Sequence, residues 1–282
     1  MNIGLIHVDG KYPNLALMKL SAWHKAQGDE VEFYYPMKEY GYVYASKVFA
    51  DSPIYDYLPE NCKIGGWGYN ALILPDEVEH TCPDYSLYGI DYAMGFASRG
   101  CIRNCHFCIV PEKEGKIRSH ADIYEFWNGQ THIRLLDNNL TALPHHFKLI
   151  CSQIIKHGII TDFSQGLDLR LITDDMAHQL SQIKPWTQFH FAWDNLRDEE
   201  AIRRGLGILE ANGVAPYKCM VYVLIGFDTT EEEDYYRVME LRALGVDPFV
   251  MPYGKTMYER RFARWVNHKA IFKSVEWKEY VA

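Results

Sequence analysis

The feature that most restricts the fold is an alternation that starts near residue 91. Short apolar stretches at YAMGFAS (92–98), THIRLLD (131–137), TDFSQG (161–166), FHFAWD (189–194), CMVYVLIGF (219–227) and DPFVMPY (247–253) have strand character. Between and after them lie stretches with helical periodicity at 121–129, 142–158, 173–183, 196–213, 230–245 and in the last segment. Each strand that pairs in parallel with its predecessor needs a long crossover, which a helix supplies. Six repeats therefore predict a parallel sheet that curls without closing.

The expected fold class is α/β: a partial (β/α)6 TIM-like barrel over residues 91–254, preceded by a small Rossmann-like α/β domain over residues 1–90. In the first ninety residues IGLIHV reads as a buried strand, Asn14 caps a helix over 15–27, Gly28 ends it, and VEFYY follows as a strand. YVYAS and ALILP add short strand candidates, and between them GGWGY (65–69) permits either a tight turn or a close backbone approach to a ligand. Residues 255–282 form a basic tail with seven Lys or Arg in 254–282 against three Glu. Phe262, Trp265, Val266 and the stem of Lys269 recur there at helical spacing, which favours a closing helix packed by one face over an RNA-binding tail.

Polar residues fall at the strand carboxyl ends: Asp137 to Asn139, Gln165 to Arg170, Asp194 and Asn195, and Gly226 to Thr229. That edge carries the active site in barrels of this kind. Each group is also good turn chemistry. Trp193 at the barrel mouth is either a stacking surface or ordinary packing.

Three of seven cysteines, Cys101, Cys105 and Cys108, fall within CIRNCHFC. Such a CxxxCxxC triple is expected by chance about 0.004 times in a chain of this length and cysteine content. As a structural zinc site the set is one ligand short, with His106 inside the same short loop. A helical trio of buried cysteines is opposed by Gly100 and Asn104. As ligands of a cubane iron–sulfur cluster, three thiolates hold three irons and leave the fourth open. Cys62, Cys82, Cys151 and Cys219 lie far apart and are expected to be small buried hydrophobes, with no disulfide framework.

CIRNCHFC, with Phe107 before its last cysteine, resembles the signature of the radical S-adenosylmethionine (SAM) superfamily, and the resemblance extends over roughly residues 91–254. SRGC resembles the branch with methylthiotransferases and cobalamin-dependent radical enzymes. The resemblance implies a 4Fe-4S cluster on Cys101, Cys105 and Cys108 whose open iron is chelated by SAM. One electron would then cleave SAM to methionine and a 5′-deoxyadenosyl radical that abstracts hydrogen from a substrate. An electron donor such as flavodoxin or ferredoxin is implied as a partner. By the same resemblance Asp137, Asn138 and Asn139 stand where the SAM amine is received, although LDNN departs from the usual glycine-rich run. Gln165, Asp168 and Arg170 stand at the ribose and carboxylate positions, and Ile225 and Gly226 flank adenine; Ile225 and Met251 also suit plain barrel core. Glu112, Lys113, Lys116 and Arg118 lie in a charged loop after the cluster, open to substrate, reductant or solvent.

The first ninety residues resemble a degenerate cobalamin-binding domain, but D-x-H-x-x-G is absent and cobalamin is not expected. Methylthiotransferases bring three further cysteines to their amino-terminal domain. Here only Cys62 and Cys82 are present, which disfavours that activity. The substrate is open among a small molecule, a nucleobase, including one in tRNA, and a peptide. A non-catalytic iron–sulfur electron carrier or redox sensor is the alternative. The net charge of −8 disfavours nonspecific nucleic-acid binding by the body of the chain. No apolar run suits a membrane span and no secretory signal is present, so a cytoplasmic protein is expected.

Overall fold

The structure is a computed structural model that describes residues 1–10, 12–52, 58–70 and 74–281. The chain divides into two compact units, Met1–Gly95 with Ala121–Ile133, and Phe96–His120 with Arg134–Ala282.

The first unit contains β1 (Asn2–His7), α1 (Leu15–Ala26), β2 (Glu30–Phe33), β3 (Tyr42–Ser46), β4 (Cys62–Gly65), α2 (Asp76–Glu79) and β5 (Ala93–Gly95). Strands β1 to β4 form a parallel sheet in the order β2-β1-β3-β4. Strand β1 is apolar on both faces: Ile3 and Leu5 pack with Leu17, Leu20 and Val78, while Ile6 packs with Val43 and Ala45. Asn14 caps α1 as expected, its Oδ1 accepting from Leu17 N at 3.1 Å while its amide donates to Ser46 Oγ at 2.8 Å. The strand expected at ALILP falls mostly outside the described residues. The helix expected over 121–129 is only a 3-10 turn, Ile123–Glu125. Asp122 caps that turn, Phe126 O accepts from the distant Tyr85 hydroxyl, and Gly129 follows at φ +86°, so a tertiary anchor and a left-handed glycine stop the helix after one turn.

The second unit carries β6 (Ser98–Arg99), α3 (Val110–Lys113) and β7 (Arg118–Ser119). Strands β8 (His132–Leu135) and β9 (Ile160–Phe163) are hydrogen-bonded neighbours. Helix α4 (Pro144–His157) precedes β9. The series continues with α5 (Asp174–Ser181), β10 (Phe189–Ala192), α6 (Glu199–Ala211), β11 (Cys219–Ile225), α7 (Glu231–Ala243) and β12 (Asp247–Pro252). Strands β10, β11 and β12 are parallel and adjacent in chain order, and parallel bridges at Thr161–Pro185 and Leu167–Phe191 join the β9 region to that of β10. Val221, Val223, Ile225 and Val250 are buried, whereas Phe249 and Met251 are exposed. Apart from the short antiparallel β6–β7 pair, the described strands form parallel α/β sheets and no closed barrel.

The YAMGFAS stretch is not one strand. Ala97 N and Ser98 N donate to the Asp137 carboxylate and Ala97 O accepts from His120 N, which takes this backbone out of the sheet and into the antiparallel β6–β7 pair. The tail is likewise two helices, α8 (Met257–Asn267) and α9 (Lys269–Ser274). Phe262, Trp265 and Val266 are buried on α8 as expected. Lys269 begins the next helix after the break at His268, and its ammonium, on a largely exposed side chain, pairs with Asp247 at 2.6 Å instead of extending the stripe. Of the isolated cysteines, Cys151 and Cys219 are buried as expected, but Cys62 is only partly covered and Cys82 is exposed.

Candidate functional site

The cysteine loop belongs wholly to the second unit. Gly100 opens it at φ +79°, where a side chain would run into the Gly115 and Lys116 carbonyls, so glycine is required. Cys101 N donates to Gly115 O at 3.2 Å and Cys108 N to Cys105 O at 2.9 Å. Glu114 ties the loop further. Its Oε2 accepts from Gly100 N at 3.0 Å and from the Asn138 amide at 2.9 Å, and its Oε1 lies 3.5 Å from Arg99 Nη1.

Cys101, Cys105 and Cys108 are free thiols, each partly buried. Cys101 Sγ accepts from Arg103 N at 3.3 Å and from the Asn139 amide at 3.6 Å. Burial pushes the Cys105 thiol above its ordinary value, helped by Cys108 and Asp194 and opposed by Arg170.

Asp168 is the hub beside the loop. It accepts from Arg103 Nε at 3.0 Å, from Arg170 Nε at 2.7 Å and Nη2 at 3.1 Å, and from the Asn139 amide at 3.4 Å. Burial opposes its ionisation, but Arg170 and Arg103 outweigh that and hold the carboxyl below its ordinary value. Arg170 also donates to Asp198 at 2.9 Å, and Thr141 Oγ1 bonds both Asn139 Oδ1 and Asp168 N. Cys101, Arg103, Asn139, Asp168 and Arg170 therefore form one continuous hydrogen-bonded set.

The other expected site residues lie outside this hydrogen-bonded set. Asp137 is fully buried and both its oxygens are engaged, by Ala97 N at 3.1 Å, Ser98 Oγ at 2.6 Å and Ser98 N, so it anchors the strand leading into the loop. Asn138 is joined to Glu114, and Gln165 is exposed. Phe107 packs edge-on against Phe227, which in turn meets Tyr253. Ile225 is wholly buried in the core, whereas Met251, the other residue with a core reading, is 46% exposed. Gly226 has φ +75° and the Glu259 carboxylate lies where its side chain would be. Trp193 is packing: it is buried and its indole N–H donates to Asn195 O at 2.9 Å. Burial raises the Asp194 carboxyl above its ordinary value despite a bond from Leu224 N.

Arg103, Glu114 and Asp198 escaped the sequence reading. Arg103 sits inside the motif and could have been suspected as a cation among thiols. Glu114 was one charge in a charged run, and its partners Gly100 and Asn138 lie 14 and 24 residues away, where no spacing rule reaches.

No family model matches the chain. Over 104 residues the chain is 30% identical to the ribosomal protein uS12 methylthiotransferase RimO of Ruegeria pomeroyi, a match that covers 34% of this chain and 20% of that protein. The chain thus spans about a fifth of the length of the curated relative it matches. This partial likeness agrees with the SRGC resemblance and hints at an enzyme of the radical SAM class. No helix among the described residues is long and apolar enough to cross a membrane.

Proposed function

We propose that the chain is a radical SAM enzyme whose cluster is held by Cys101, Cys105 and Cys108. The observation that carries this reading is the loop itself: three free thiols within eight residues, with two N–H groups directed at Cys101 Sγ. When bound, a site-differentiated 4Fe-4S cluster with SAM supplies one-electron cleavage to methionine and a 5′-deoxyadenosyl radical. A reduced flavodoxin or ferredoxin suits the role of donor.

The chain's own residues prepare that site. Glu114 and Asp137 fix the two sides of the loop, and the Arg103–Asp168 pair ties its interior to the segment 168–170. Asn138 and Asn139 would offer amide groups to the SAM amine. Arg170 uses three of its five N–H donors on Asp168 and Asp198, which leaves two for a carboxylate. Gln165 would reach the ribose, Ile225 and Gly226 would meet adenine through their backbone, and Phe107 would shield the last cysteine. In this reading the parallel sheets are the wall of a partial barrel over residues 91–254, with residues 1–90 and the tail 255–282 as additions. The substrate belongs to the small-molecule, nucleobase or peptide classes.

The test is anaerobic reconstitution with iron and sulfide, followed by SAM and dithionite, with chromatography for 5′-deoxyadenosine. Formation of 5′-deoxyadenosine by the wild type but not by Cys105→Ala is expected. A protein that binds iron and sulfide yet forms none is an electron carrier or sensor, and the enzyme reading fails.

A further inference from the structure

The GGWGY motif belongs to the first unit and the cysteine loop to the second, and the proposed function makes no use of the motif. In that unit the strand order β2-β1-β3-β4 reverses direction between β1 and β3. Open α/β sheets bind ligands outside the carboxyl ends of their strands at such a reversal. The residue following β3 at that point is Lys47.

Lys47 is 4% exposed, and no carboxylate lies within ion-pair distance of it among the described residues. Its stem runs under the glycine loop. A side chain at Gly68 would lie 2.5 Å from Lys47 Cγ, and one at Gly66, where φ is +95°, would strike the Lys47 carbonyl. Gly68 N donates to Lys47 O at 2.9 Å and Lys47 N to Gly65 O at 3.0 Å. The two glycines therefore make room for a lysine. The ammonium stands 5.9 Å from the centroid of the Tyr69 ring, and the Tyr69 hydroxyl is buried with no hydrogen-bond partner among the described residues.

Asp9, at the carboxyl end of β1, fixes the segment after Lys47: it accepts from Val48 N at 2.6 Å, Phe49 N at 3.2 Å and Ser52 Oγ at 2.6 Å. Those three donors occupy its carboxylate, and none of them is Lys47. Burying a cation that faces an aromatic ring but has no ion pair is costly, and burying an unpaired hydroxyl adds to that cost. An oxyanion satisfies both groups, because ammonium and phenol are both donors.

We propose that the first unit binds a small phosphate-bearing ligand at the β1/β3 reversal, held by the Lys47 ammonium and the Tyr69 hydroxyl. This site is independent of the cluster. The full chain is titrated calorimetrically with inorganic phosphate, AMP, adenosine and acetate at matched ionic strength. Phosphate and AMP are expected to bind saturably, with adenosine and acetate at least about tenfold weaker. Lys47→Met, which keeps the apolar stem, should weaken phosphate binding at least about tenfold, and Tyr69→Phe should weaken it several-fold. Failure of phosphate and AMP to bind, adenosine binding as well as AMP, acetate binding as well as phosphate, or unchanged titration of the variants would each overturn the site. If Lys47→Met does not fold by circular dichroism, Tyr69→Phe decides alone.

Discussion

Asp137 and Asp168 are both buried carboxylates, yet their surroundings give them opposite tasks. Asp137 meets only neutral donors from residues 97 and 98, and burial raises its pKa. Asp137→Asn turns an amide toward those donors, and a loss of about 2 kcal/mol in urea unfolding is expected. Asp168 meets two guanidinium groups, and its depressed pKa means that its ionised form stabilises the fold. That contribution is full above the unfolded-state pKa near 4 and is lost as pH falls through the lower folded value. Asp168→Asn should cost about 3 kcal/mol at neutral pH by leaving Arg103 and Arg170 without their partner. The gap between wild type and variant should then narrow below about pH 4, which unfolding midpoints measured across pH will show. At this scale the sequence was only partly legible: SQGLDLR marked Asp168 and Arg170, but the link to Arg103 spans 65 residues and exists only in the fold.

Secondary structure followed local chemistry wherever caps and periodicity agreed. Thr230 with Glu233 forms a capping box at the start of α7, and Thr173 caps α5, so both helices begin where expected. The element at 121–129 failed because tertiary anchors on Phe126 and Ile123 outweighed a weak helical pattern. The edge strand β12 is closed by a side chain: Asn267 accepts from Val250 N at 2.7 Å and donates to Val250 O at 2.9 Å. Asn267→Ala should remove both bonds and lower stability by about 1–3 kcal/mol, measured by thermal or urea unfolding. Glu114 joins the cysteine loop to the end of β8 in a comparable way. Glu114→Ala should weaken iron retention after anaerobic reconstitution about tenfold, with Glu114→Gln intermediate, as judged by iron per chain against a chelator.

For the whole molecule, the strand–helix alternation revealed the parallel α/β class because each crossover has to be helical. It did not reveal that residues 121–133 join the first unit, since that depends on packing between segments distant in sequence. The chemistry assigned to the second unit rests on the three thiols leaving one iron for SAM. The most direct measurement is electron paramagnetic resonance of the reconstituted, dithionite-reduced protein before and after adding SAM. A reduced 4Fe-4S signal whose g values shift on adding SAM, and which is absent from Cys105→Ala, is the predicted result. A signal that SAM leaves unchanged, or one that survives in Cys105→Ala, would contradict it.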